Sequence, residues 1–211
     1  MVGPVKNFFK FLNSLRRLKA LSWRELGGLR KVIAVAGMPG SGKGVVSKVA
    51  VGLSLPVYSC GDVIREEALK AGLALTYENL SKLMVEVRVK GGPAAVIKRL
   101  IPKLLKERSE VAVVEGVRSM DEVNELKKHF GKVEILGVHA SPKTRFERLR
   151  ARMRGDDPKT YLEFASRDRK ELELGLGNVL ALADKMLINE ESVDGFRLEA
   201  AEALKELAKD E

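Results

Sequence analysis

With 211 residues, 45% of them hydrophobic and 32% charged, the chain can build one domain with its own core and is not a disordered polymer. Its net charge of +9 is concentrated at the start, where residues 1–31 carry eight Lys/Arg against Glu25 alone and leave a nearly neutral body. No apolar stretch approaches the roughly 20 residues that span a bilayer; Lys10, Arg16 and Arg17 interrupt any secretory signal, and Cys60 is the single cysteine, so a cytoplasmic protein is expected.

The first predicted element is a basic amphipathic helix in the leader, residues 1–30: Phe8, Phe11, Leu12, Leu15 and Leu18 recur at helical spacing with Lys10, Arg16, Arg17 and Lys19 between them. Such a helix can pack on its own body or on a second copy, or lie on RNA or an anionic membrane surface, and packing is the ordinary use of an apolar stripe. Gly27-Gly28 reads as the hinge to a body over 31–211. There, five short Val/Ile-rich runs alternate with helical patterns: KVIAVA (31–36), LPVYS (55–59), VAVVE (111–115), VEILGVH (133–139) and KMLIN (185–189). Continuous apolar runs of this length read as strands buried on both faces of a parallel sheet. Two helices, over 77–90 and 93–108, are predicted together between the second and third runs; Gly91-Gly92 divides them, and Pro102 is expected to kink the second. Ser119 and Glu122 have capping-box spacing for the next helix, which Gly131 can close. Ser141-Pro142 and Asp157-Pro158 each place a cap before a proline at the first helical position. The whole reads as a doubly wound α/β domain with a helical insertion at about 62–108. The absence of glutamine, with only six asparagines and high charge, points to a thermophilic source.

Between the first run and the first body helix stands GMPGSGKG, residues 37–44. Glycines at 37, 40, 42 and 44 let backbone N–H groups turn inward, the helix start adds partial positive charge, and Lys43 can bridge terminal phosphates. A glycine-rich turn with a chance lysine does not account for strand, loop, lysine and helix coinciding. The expected donor-nucleotide site is Gly37, Pro39, Gly40, Ser41, Gly42, Lys43, Gly44 and Val45. One departure stands out: Gly44 and Val45 occupy the places where a magnesium-ligating hydroxyl is usual. Mg2+ must then be held mainly by phosphates and water, steadied by acids elsewhere. Ser47, one turn beyond Lys43, reads as an ordinary helix residue.

These residues resemble the adenylate kinase family, whose loop has the form Gly-x-Pro-Gly-x-Gly-Lys-Gly. GDVIREEALKAG (61–72) resembles the start of that family's monophosphate-binding helix, and EGVRS (115–119) a shortened form of its segment after the third strand, with Glu115 for Asp. FERLRARMRGDD (146–157) and RDRKEL (167–172) resemble the entry to and exit from its lid, here about 150–170. The resemblance runs in order over about 31–190 and is nearest to small archaeal proteins described as adenylate-kinase-like or dephospho-CoA-kinase-like. It implies a P-loop kinase fold, a three-layer, five-stranded parallel sheet of order 2-3-1-4-5, and phosphoryl transfer from ATP with Mg2+ to a nucleotide-like acceptor. It further implies that Arg65 and Arg118 grip the acceptor's phosphate, with Asp62 beside them, and that Arg148 stacks on the donor's base. Lys43, Arg118, Arg152 and Arg167 (or Arg169) would act on the transferring phosphoryl, while Asp62 and Glu115 would orient magnesium-bound water. A loose phosphoryl transition state calls for positioning and positive charge, which arginines closing from a lid provide.

Plainer uses remain open: Arg148 and Arg152 could pair with Glu147 or Asp156, His139 could be a core histidine, and Cys60 a packing residue. Neither histidine has metal-ligand company, so no zinc site is expected. The acceptor is expected to be a nucleoside monophosphate, or alternatively dephospho-CoA. A different class, an ATPase switch acting with RNA or a ribonucleoprotein, is motivated by the leader and by ten Lys/Arg against five acids over 143–170. The aromatic content of 5% leaves little for stacking on bases and argues against it.

Overall fold

Each of the five apolar runs offers β-branched or small side chains to both faces of a sheet, and each becomes a strand. In the computed structural model, which describes residues 28–155 and 157–209, these are β1 (Lys31–Gly37), β2 (Val57–Ser59), β3 (Val111–Glu115), β4 (Lys132–His139) and β5 (Lys185–Ile188). All pair in parallel in the order β2-β3-β1-β4-β5, the expected topology. The expected leader helix and its hinge residue Gly27 lie outside the described residues.

Among the described residues the helices are α1 (Lys43–Gly52), α2 (Cys60–Lys70), α3 (Tyr77–Gly91), α4 (Ala95–Leu104), α5 (Met120–His129), α6 (Pro142–Arg152), α7 (Tyr161–Glu173), α8 (Leu176–Ala181) and α9 (Val193–Ala208). Central β1 is buried along its whole length and feeds two cores by the alternation of its side chains. Val32, Ala34 and Ala36 meet α2, α4, α5 and α8 on one face; Ile33 and Val35 meet α1 and α9 on the other. Within the expected insertion, α4 buries six residues against the first core whereas α3 buries only Val87, so α3 is its outer, cleft-facing helix. Cys60 is a buried packing residue, as expected.

Several local expectations give way to tertiary partners. Ser119 does cap α5, accepting from Glu122 N at 3.3 Å, but the Glu122 carboxylate does not return to Ser119. It is fully buried, takes Arg118 N at 2.7 Å, and pairs with Arg88 at 2.6 Å. Gly131 does not adopt a left-handed conformation; the chain leaves α5 through an extended Phe130. Asp157-Pro158 does not open α7, which starts behind Thr160 in a reciprocal capping box with Glu163. Ser141 and Pro142 begin α6 as expected, and Pro102 lies in the last turn of α4. His139 is exposed at the end of β4 rather than buried in the core.

Candidate active site

β1 ends at Gly37 and α1 begins at Lys43, so the glycine loop spans the carboxyl end of the central strand and the amino end of a helix, where ligands of open α/β sheets bind. Gly40 and Gly42 have φ of +81° and +112°, and a Cβ at Gly42 would lie 2.1 Å from Asn189 Nδ2, so only glycine fits there. Two side chains hold the loop from outside: Asn189 Nδ2 donates to Ser41 O at 2.8 Å and Arg145 to Pro39 O at 3.2 Å. Because a trans peptide sets its N–H opposite its C=O, the amides of Gly40 and Gly42 face away from those side chains. The Ser41 hydroxyl is completely buried and has no hydrogen-bond partner among the described residues. A polar cradle of this kind suits the oxygens of a phosphate.

Lys43 Nζ lies across the loop, donating to Gly37 O at 2.7 Å and Met38 O at 3.1 Å. Burial pushes its pKa down to about 8, against the pull of Glu115 and then Glu171, while Arg118 and Arg167 push further down. The same four groups thus converge on Lys43. Glu115 ends β3 and accepts from the Ser47 hydroxyl at 3.3 Å. Carboxylate and hydroxyl are hard oxygen donors that fit Mg2+, and no cluster of three or more His, Cys, Asp or Glu able to hold a metal occurs among the described residues.

Arg118, Arg167 and Glu171, whose charges act on Lys43, line a cleft together with Arg65, Tyr77 and Lys170, with Ile64 and Met84 as apolar wall. Arg118 donates from Nε to Glu171 at 2.7 Å and from Nη1 to Gly116 O at 3.0 Å. Burial opposes the Arg118 charge, but Glu171 more than offsets this and its pKa is raised; burial would raise Glu171, yet Arg118 holds it below the usual carboxylate range. Arg65 pairs with Asp62 at 2.8 Å one turn away on α2. The guanidinium of Arg167 and the ammonium of Lys170 each lie 5.3 Å from the centre of the Tyr77 ring.

The structure therefore brings Lys43, Glu115, Arg118 and Arg167 together, and puts Arg65 in the same cleft. Arg167 lines it while Arg169 is exposed. Asp62 is found with Arg65, and Glu115 is the carboxylate that acts most strongly on Lys43. Arg152 takes Asp157 in a two-pronged pair, and Arg167 approaches the same carboxylate at 3.8 Å. Arg148 is turned to Asn189, bonding its O at 3.0 Å and Oδ1 at 3.2 Å, rather than to Glu147. Four arginines of the basic run at 143–170 thus have partners within the protein: Arg148, Arg152, Arg167, and Arg145 with Asp168 at 2.8 and 2.6 Å. Sequence reasoning passed over Arg145, Asp168, Asn189, Tyr77, Lys170 and Glu171. Helical spacing held part of the signal, since Phe164, Asp168 and Glu171 fall on one face of α7.

Fold and loop together define a P-loop protein of the kinase-like type. A family model described as an AAA domain matches residues 36–164. The UPF0200 protein of Hyperthermus butylicus is 49% identical over 181 residues, covering 86% of this chain and 97% of the relative. That of Pyrococcus abyssi is 48% identical over 170 residues, covering 79% and 91%. The chain belongs to the AAA-domain family and to the UPF0200 proteins. Among solved structures, it is similar to TT1252 from Thermus thermophilus (TM-score 0.60, 21% identity, 86% of this chain and 100% of that one). It is also similar to a shikimate kinase from Bacteroides thetaiotaomicron (0.56, 15%, 83% and 98%) and a gluconokinase from Sinorhizobium meliloti (0.52, 21%, 86% and 95%). At these identities the likeness is one of fold.

Proposed function

We propose that this protein transfers the terminal phosphoryl of ATP to a nucleotide-like small molecule, in the manner of an adenylate-type kinase, with a nucleoside monophosphate as acceptor. The observation that carries this reading is the glycine loop between β1 and α1, with Lys43 lying across it and the charges of Glu115, Glu171, Arg118 and Arg167 acting on that lysine. The loop amides and Lys43 hold the donor's phosphates, Lys43 exchanging the carbonyls of Gly37 and Met38 for phosphate oxygens. Glu115 holds the water shell of Mg2+, which when bound neutralises charge on the donor. An acceptor oxygen forms the new bond to the γ-phosphorus as the bond to the β–γ bridging oxygen breaks, and ADP departs. Arg152 and Arg167 steady the charge spread over the transferring group, and Arg65 and Arg118 hold the acceptor.

The cleft favours an anionic acceptor over a hydroxyl. Its lining carboxylate, Glu171, is taken up by Arg118 at 2.7 Å, a pairing that leaves it a weak base toward an alcohol. A phosphate dianion needs no base, whereas the ribose hydroxyl of dephospho-CoA does. The test is incubation with Mg·ATP and a panel of nucleoside monophosphates and dephospho-CoA, following ADP and phosphorylated product. A monophosphate is expected to react, with Lys43→Ala lowering turnover by on the order of 10² or more. Turnover of dephospho-CoA alone would replace the acceptor assignment, and no turnover of any acceptor would end the reading.

A further inference from the structure

The loop is missing a hydroxyl, and the structure shows that packing did not remove it. Nothing stands within 4 Å of the place a Cβ would take at Gly44, so a serine there has room. Val45 is not a substitute; it packs against the core formed by Ile33, Val35 and Leu187. The next hydroxyl on α1 is Ser47, on the same helix face as Lys43 one turn back. A serine inside a helix ordinarily returns its hydroxyl to the carbonyl four residues earlier. Ser47 instead reaches across to β3 and donates to Oε2 of Glu115 at 3.3 Å.

Distance decides what this contact can do. Four helical residues span about 6 Å, and magnesium binds oxygen at about 2.1 Å. A cation at the phosphates, near the start of α1, is thus beyond direct reach of Ser47. Glu115 is not beyond reach. Its side chain, one methylene longer than the Asp expected from the family resemblance, ends where it can meet both a hydroxyl one turn down α1 and the electric field at Lys43.

Resting on the phosphotransferase reading, we propose that Ser47 is a positioning residue for the metal. By fixing Oε2 of Glu115 it aims Oε1 at the water shell of nucleotide-bound Mg2+, so the task usually done by a hydroxyl beside the loop lysine is relayed through a carboxylate from one turn further along. Serine and glutamate form one unit, and removing either should produce the same defect.

The test uses the full-length protein and a non-hydrolysable ATP analogue, titrated by calorimetry in EDTA and in Mg2+, with Mn2+ binding to the protein–nucleotide complex read by electron paramagnetic resonance. Ser47→Ala should leave metal-free nucleotide affinity within about twofold of wild type, which also shows that the variant is folded, while Mn2+ affinity in the complex falls about 10- to 100-fold, the usual cost of losing an outer-shell partner. Ser47→Thr should restore it. Glu115→Gln should show the same loss, and Ser47→Ala/Glu115→Gln no further loss. Wild-type Mn2+ affinity in Ser47→Ala, or additive losses in the double variant, would overturn the relay while leaving the phosphotransferase reading intact. A wild-type protein that binds no nucleotide in either medium would overturn both.

Discussion

At the scale of single residues, the lysine of the loop has the most direct physical consequence. Burial lowers its folded-state pKa to about 8 from 10.5, so between those values the unfolded chain binds more protons than the folded one. Stability then rises with pH across that window, and below about pH 8 the penalty is present in full. Thermal melts at pH 7.5 and 10.5 should show wild type gaining relative to Lys43→Met as the pH is raised; parallel behaviour of the two proteins would mean that the ammonium is not desolvated. Arg167 and Arg169 are a second discriminating pair. The first lines the cleft and the second is exposed, so Arg167→Ala should lower turnover by on the order of 10³ while Arg169→Ala stays near wild type, measured as kcat with the responsive acceptor. The motif residues were legible because their chemistry is local: glycine geometry and one lysine suffice to mark a phosphate loop. Arg167 could not be told from Arg169 in the sequence, since both stand in the same motif and only the packing of α7 separates them. Arg148 shows what position alone leaves out, for its guanidinium edge is held by Asn189, a partner no spacing announced.

At the scale of elements, helix and strand positions followed from periodicity, while several helix ends did not. Gly131 and Asp157-Pro158 carry good local boundary signals, but Asp157 is drawn to Arg152 and the α5 exit is set by the strand that follows. Local signals lose where a buried or paired side chain gains more elsewhere. Glu122 is the strongest case. Its sequence spacing announces a capping box, yet its carboxylate bridges α3, through Arg88, to the backbone of Arg118. Arg88→Met leaves that buried charge with less compensation and should cost about 3–5 kcal/mol in a denaturant melt. The same variant should also weaken acceptor binding, because the segment carrying Arg118 loses its anchor. α7 plays a comparable part on the other side of the cleft, reaching the glycine loop through Asp168 and Arg145, and Arg118 through Glu171.

At the scale of the molecule, the sheet order and the position of the loop at its carboxyl edge agree with the sequence reading, because the largely buried strands β1, β3 and β4 leave unmistakable apolar runs; the edge strands β2 and β5, expected to be buried on both faces, are only partly so. The cleft was not legible. Its walls come from α2, α3 and α7 and from the β3–α5 turn, which are distant in the chain and meet through contacts that no spacing encodes. Chief among these is the ring of Tyr77 on α3, which meets the cations of Arg167 and Lys170 on α7.

That aromatic ring ties the two arms of the cleft into one body. On the proposed phosphotransferase reading, donor and acceptor would draw on a shared ordering of the protein, so that whichever arrived first would lessen the cost for the other, and linkage would require each to strengthen the other by the same factor. Titrating either nucleotide with the other present and absent should yield equal ratios above one, and Tyr77→Ala, by cutting the arms apart, should bring both ratios toward unity together.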